Sequence, residues 1–240
     1  MRFEIVTLFP DYFELSLRQS LIGKAIDKKL FDIRITNLRD FATDKHRTTD
    51  ASPYGGGGGM VMMLEPMDRC LESLGYQRTT DGGQIRENDR IILTSAAGKV
   101  FRQQLAVEYS LAERMTIICG HYLGVDERLL ELYPIEEVSI GDFVLSGGEP
   151  AAAVMIDAVA RLIPGVLGNF ESAIDDSHME TSTGSPCYAR PAEYAGLKVP
   201  EALLSGDHAR IAEHRKMEAL TKCQRNRPDL IEKIKKSEQD

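Results

Sequence analysis

Three segments combine residue types that can hold a ligand: LTSAAGK (93–99), CGHYLGVDERLL (119–130) and VSIGDFVLSGGEPAAAVMIDAV (138–159). Each follows an apolar run and leads towards a helical pattern. One glycine-containing turn after a strand is common and proves little. Three that converge make a pocket, and open α/β sheets bind ligands at the C-terminal edge of their strands. For SGGE the first chemistry to weigh is a phosphate cradle, because amides at a helix start favour anions. Glu149 argues against it. It sits where the anion would sit and already complements the helix dipole, while Pro150 fits the first helical position and removes one amide. None of the segments matches GxGxxG or a Walker loop, which discounts a dinucleotide or a nucleoside triphosphate. Main-chain groups in such loops suit an uncharged adenine and ribose.

Other residues admit two readings. Arg161, in DAVARLIPG, ends an otherwise apolar helical pattern. It either complements the helix C-terminus or faces the cleft as a guanidinium able to donate to an oxyanion. Asp175 and Asp176 are solvated linker acids, or a general base once substrate orders the segment. Asp126 and Arg128 read first as a surface pair at a helix start. The glycines 55–59 are a flexible tip, or a loop that lets a ligand or another backbone come close. The five histidines show no metal-ligand spacing, so no metal site is expected. Cys70, Cys119, Cys187 and Cys223 lie far apart, in neither a zinc nor a disulfide pattern. Free thiols and a cytoplasmic location are the expectation.

The elements that must position these residues alternate. Strand patterns fall at 3–9, 31–37, 90–95, 115–120 and a final pair near 137–145. Helical patterns fall at 12–28, 66–74, 101–112 and 150–163. Alternation of this kind indicates an α/β domain with a mostly parallel sheet. The aperiodic stretch 38–60 ends in PYGGGGGM, and a long ordered loop in a compact domain is usually functional. PGVLGNFESAIDDS (164–177) reads as a linker, and two helix patterns, 206–223 and 228–237, follow it. The boundaries are therefore 1–163, a linker over 164–176, and a small helical domain over 177–240. At 240 residues and 42% hydrophobic content the chain can build a real core. No apolar run approaches a membrane span, and MRFEIVTLFP reads as an opening strand, not a signal peptide. Net charge is −8, which at first argues against a nucleic-acid partner. From Ser177 onward, however, 11 Lys and Arg stand against 10 Asp and Glu, so the C-terminal part repels a polyanion less than the rest.

Taken in order, LRDFATDKH, PYGGGGGM, CGHYLGVDER, SIGDFVLSGGE, DAVARLIPGVLG, DDS and VPEALLSGDH resemble the bacterial tRNA (guanine-N1)-methyltransferases of the knotted SPOUT class. The resemblance covers nearly the whole chain and is most specific in SIGDFVLSGGE and ARLIPGVLG. It implies a Rossmann-like sheet whose C-terminal part threads into a deep trefoil knot, an exception to the usual unthreaded chain. It also implies a bent S-adenosylmethionine held by Leu93, Thr94, Ser95, Gly120, Gly124, Ile140, Gly141, Asp142, Phe143, Val144 and Leu145. The implied reaction is methylation at N1 of guanosine 37 of tRNA, just 3′ of the anticodon, by a homodimer whose sites draw on both subunits. Asp176 matches the family's general base, and Arg161 the cation that stabilises charge developing on guanine O6. The C-terminal helices would grip the anticodon stem and loop, with Arg215, Arg225 and Arg227 as phosphate contacts. Mg²⁺ is a possible further cofactor in the family, but this chain offers no protein ligand set for it.

The chain departs from the family pattern in places. His121 and Leu123 stand where Arg and Glu are usual, and His178 replaces Phe. Gly184 lies near a lost acidic position, and His214-Arg215 replaces Trp-Arg. The loss at Leu123 removes a polar contact near the methionine end of the cofactor, and Glu180 is a candidate replacement. These departures motivate a second expectation, a SPOUT-type protein that binds RNA or cofactor with altered or no chemistry. A phosphate-binding metabolic enzyme, the third, needs an anion loop this chain lacks.

Overall fold

A computed structural model describes residues 1–81, 83–168 and 184–231. The chain divides into two compact units, Met1–Gly168 and Asn169–Asp240.

The first unit is built on five strands: β1 (Arg2–Thr7), β2 (Asp32–Asn37), β5 (Asp89–Val100), β6 (Arg114–Ile118) and β7 (Ile135–Ser139). They lie in the order β2-β1-β6-β5-β7, and every neighbouring pair is parallel. Both faces are covered, so the central strands read as apolar runs without polar alternation. Successive side chains point to opposite faces. Phe3 and Ile5 of β1, Ile92 of β5, and Met115 and Ile117 of β6 enter one core with α1 (Asp11–Ser16), α2 (Ser20–Asp27), α4 (Gln103–Ser110) and α6 (Glu149–Ala160). Val6, Ile91, Leu93 and Ile118 enter the other with α3 (Leu64–Ser73) and α5 (Arg128–Leu132). Each fully buried Ile or Leu stabilises the fold by about 1.5–3 kcal/mol.

The sheet and helix patterns of the first unit correspond to the sequence reading, with three differences. The helical pattern at 12–28 is two helices. The chain breaks at 17–19 and Gly23 packs on the Arg18 carbonyl, where a Cβ would lie 2.3 Å from that oxygen. The pattern near 137–145 holds one strand, β7, and then an irregular loop. The third difference is in β5, which does not end at 95. It resumes after a bulge, so that both Thr94 and Lys99 face Val138 of β7. Residues 95–98 stand out of the ladder, and Gly98 crosses so close to β7 that a Cβ would lie 2.3 Å from the Val138 nitrogen. The stretch 38–60 is partly ordered by a short hairpin, β3 (Asp50–Ala51) with β4 (Val61–Met62).

In the second unit, β8 (Glu193–Tyr194) and β9 (Leu197–Lys198) form a hairpin that the sequence reading did not anticipate. Two helices follow, α7 (Glu201–Leu204) and α8 (His208–Asn226). Helix α8 starts two residues later than its pattern because Asp207 caps it, accepting from the Ala209 and Arg210 amides at 3.0 and 3.2 Å. Of the pattern at 228–237, only 228–231 are described, and they are helical. No helix among the described residues is long and apolar enough to cross a membrane.

Candidate functional site

The loops that follow β5, β6 and β7 meet at the C-terminal edge of the sheet, where they enclose a cleft of about 410 Å³. That lies within the roughly 300–1,000 Å³ range of small-molecule sites. Leu93, Thr94 and Ser95 line it from the first loop, Gly120 and Gly124 from the second, and Ile140, Gly141, Phe143, Val144 and Leu145 from the third. Asp142 alone of the eleven binding candidates is not among the lining residues.

The loops hold each other in contact by hydrogen bonds to main-chain groups. Thr94, almost fully buried, donates from its hydroxyl to the Ile118 carbonyl at 3.2 Å and accepts from the Gly120 amide at 3.0 Å. Gly148 then donates its amide to the Gly120 carbonyl at 2.8 Å. This close stacking explains the two glycines of SGGE. A Cβ on Gly148 would lie 1.9 Å from Thr94 Oγ1, and one on Gly147 would lie 2.1 Å from the His121 ring. The second loop is braced from outside by the stretch before α3. Leu123 donates to the Met60 carbonyl at 3.0 Å, Met62 to that of Gly124 at 2.9 Å, and Asp126 to that of Met62 at 3.0 Å. The glycine-rich loop thus ends against the cleft wall, with Gly59 packed on Leu123.

Glu149 does more than complement a helix dipole. The residue is 3% exposed, and its carboxylate accepts from the Thr7 hydroxyl at 2.5 Å and pairs with His121 Nε2 at 2.7 Å. The Phe9 ring packs on His121 with centroids 5.1 Å apart. The buried acid therefore ties β1, the β6 loop and the start of α6 beneath the cleft. No phosphate site remains there, because the helix N-terminus already holds its own negative charge. The sequence signal was present in the pairing of an acid just inside α6 with a histidine just past β6, but only the crossing of the loops shows that they touch.

Cys119, at the end of β6, is fully buried, and burial pushes its thiol well above the ordinary range. It is not an available nucleophile. Asp126 accepts from Arg128 Nε at 2.9 Å and Nη2 at 2.6 Å, the exposed pair expected at the start of α5. Arg161 does not line the cleft of its own chain. It caps the C-terminus of α6 and borders a separate groove with Gln103, Val154 and Asp157. Asp175, Asp176, His178 and Glu180 lie outside the described residues. In the second unit, Arg227 is engaged by Asp229 at 2.9 and 2.8 Å. Among the described residues, no group of three or more His, Cys, Asp or Glu is placed to hold a metal ion.

The sequence reading passed over two acidic lining residues, Glu127 and Glu137. Strand alternation could have found Glu137, since it shares a face with Ile135 and Ser139 and lies opposite the buried Val138. Apart from these acids and His121, the lining is apolar, glycine or hydroxyl-bearing (Thr94, Ser95, Tyr122, Ser139 and Ser146), with no Lys or Arg. Such a lining fits an adenosine-containing ligand without phosphates.

Residues 1–233 match the family model described as tRNA (Guanine-1)-methyltransferase TrmD. The chain belongs to that family. A tRNA (guanine-N(1)-)-methyltransferase of Geobacter metallireducens is 48% identical over 233 residues, which are 97% of this chain and 92% of the relative. The protein of the same name in Brevibacillus brevis is 47% identical over 234 residues, 98% of this chain and 93% of that one. A third, in Dehalococcoides mccartyi, is 46% identical over 240 residues, covering all of this chain and 94% of the relative. In this chain the segments PYGGGGGM, SIGDFVLSGGE and ARLIPGVLG, which carry the resemblance, form the bracing loop, one wall of the cleft, and the end of α6 with the turns after it.

Proposed function

We propose that this protein transfers a methyl group from S-adenosylmethionine to N1 of guanosine 37 of tRNA, giving N1-methylguanosine. The observation that carries the reading is the cleft formed by three loops at the sheet edge, rich in glycine and free of Lys and Arg, in a chain matched to the family almost end to end. Adenosine would be held by the loops after β5 and β7, through main-chain groups at Leu93 and from Ile140 to Leu145. The bound cofactor supplies an electrophilic methyl on sulfur.

What the chain must supply is a nucleophile. N1 of guanine is a weak acid and attacks poorly until deprotonated. In this reading Asp176 takes the N1 proton, and Arg161 donates to O6 as negative charge develops there. Because Arg161 borders a groove away from the cleft of its own chain, a homodimer would bring it to the partner's cleft. The second unit would bind the anticodon stem and loop, and the target base would turn out of the stack. The same reading makes the stretch from β5 to α6 a trefoil knot. Its support is the close crossing at Gly98 and Gly148, where only a residue lacking Cβ lets backbones pass. The domain boundaries at 163 and 176 and a cytoplasmic location belong to this reading too.

The test is methyl transfer to unmodified tRNA transcripts carrying guanosine or adenosine at position 37, with wild type and Asp176→Asn side by side. Transfer to the guanosine transcript alone, lost in the variant, is expected. No transfer to either transcript, despite tRNA binding, would favour the second expectation, in which His121 and Leu123 leave a binding protein without this chemistry.

A further inference from the structure

The charge of the cleft wall carries an inference beyond the family match. Three lining residues can be charged near neutral pH: His121, Glu127 and Glu137. His121 is already paired with Glu149. The nearby cations are engaged elsewhere, Arg128 by Asp126 at 2.6 Å and Lys99 by Glu136 at 2.5 Å. Among the described residues, no hydrogen bond or ion pair engages the carboxylate of Glu127 or Glu137. Glu137 is half-buried on β7, in register with Leu93 of β5. Glu127 is exposed at the start of α5. Two unpaired carboxylates with no Lys or Arg on the wall, and with His121 already paired, give the cleft a net negative field, and a field focused in a cleft favours a cation.

We propose that Glu127 and Glu137 make the cleft charge-selective, so that it holds the cationic sulfonium donor more tightly than the neutral thioether left after methyl transfer. This rests on the reading that the cleft takes S-adenosylmethionine. The donor carries a sulfonium, an ammonium and a carboxylate, a net single positive charge. Its demethylated product, S-adenosylhomocysteine, keeps the last two and is neutral overall. The two molecules otherwise differ by one methyl, so a difference in affinity that depends on the carboxylates reports the charge at sulfur. Such a bias speeds exchange of spent product for fresh donor. With Leu123 in place of the family's usual Glu, the selection in this chain falls to the two acids that remain.

Calorimetric dissociation constants for donor and thioether test the idea without turnover. Partly exposed pairs of this kind are worth about two- to fivefold each. Glu127→Gln and Glu137→Gln should each cut the donor-to-thioether preference by about that factor, and the double variant should bring it near one. Thioether affinity should stay within about twofold throughout, which a merely structural role would not predict. Raising the salt should narrow the wild-type preference. An unchanged ratio in the double variant, or equal weakening of both ligands, would overturn the proposal. Wild-type binding of both ligands with no preference would also overturn it while leaving the cofactor reading intact. Binding of neither would bring down both.

Discussion

Gly148→Ala isolates the crossing of the β6 and α6 loops. Gly148 has φ −81° and ψ −9°, a conformation that alanine adopts freely, so no backbone strain enters. The cost is steric. The new Cβ would lie 1.9 Å from Thr94 Oγ1, 2.7 Å from the Gly120 nitrogen and 2.9 Å from the Cys119 Cα. Turning the Thr94 hydroxyl away breaks its bonds to Ile118 and Gly120, about 0.5–1.5 kcal/mol each. The two remaining overlaps are with backbone and need a shift of the whole crossing, and overpacking of that kind costs about 1–3 kcal/mol. The sum is about 2–6 kcal/mol. Urea unfolding measures it, and calorimetry should show at least about a tenfold loss of S-adenosylmethionine affinity, since Thr94 and Gly120 line the cleft. Gly56→Ala is the control. Gly56 has φ +78° with nothing within 4 Å of its Cβ position, so only the left-handed conformation is charged, about 1–2 kcal/mol. A Gly148→Ala protein within about 0.5 kcal/mol of wild type, with unchanged affinity, would refute contact between these loops.

Three further outcomes follow from the same structure. Glu149→Ala strands Thr7 and His121 in the interior and should cost about 3–5 kcal/mol in chemical denaturation, whereas a cost under about 1 kcal/mol would mean that the carboxylate is not the tie between strand and loop. Asp68 accepts from Arg78 at 2.9 and 2.5 Å and from the Tyr133 hydroxyl at 2.7 Å; the Arg78 hydrogen bonds hold its carboxyl below the ordinary 3.8. The folded state thus binds fewer protons than the unfolded one, so this stabilisation is complete above that ordinary value and fades as pH falls through the lowered one. Asp68→Asn should cost about 1–2 kcal/mol at pH 7 and progressively less below pH 4, and a gap that stays constant down to pH 2 would contradict the assignment. All four cysteines are free, and of these only Cys187 is exposed, while burial pushes the Cys70 thiol up to about 12. Iodoacetamide at pH 8 should therefore modify Cys187 first, with Cys70 and Cys119 reacting only on unfolding, as peptide mass spectrometry can establish.

The periodicity of the chain carried most of the first unit, because central strands covered on both faces and amphipathic helices leave strong patterns. The eleven cofactor candidates came from the family resemblance, and ten of them line one cleft because loops after parallel strands share one edge. What periodicity could not carry lies in contacts between segments distant in sequence. Nothing local to Glu149 announces Thr7, 142 residues away, so the acid read as a helix-dipole partner. The bulge after Thr94 was hidden because SAAG looks like the end of a strand, and only pairing with β7 shows the ladder resuming. Arg161 was left with two readings, helix C-terminus or cleft, because periodicity does not tell on which side of α6 a guanidinium emerges. Glu137 was overlooked for a simpler reason: within IEEVS, two adjacent acids take opposite faces, and one of them enters the cleft.

Hydrogen–deuterium exchange with and without S-adenosylmethionine tests most directly that the cleft at the ends of β5, β6 and β7 is the cofactor site. The account predicts slowed exchange confined to amides at 93–98, 120–125 and 140–148, weakened in Gly148→Ala. Protection in other segments, or none at a saturating concentration that supports binding by calorimetry, would contradict it.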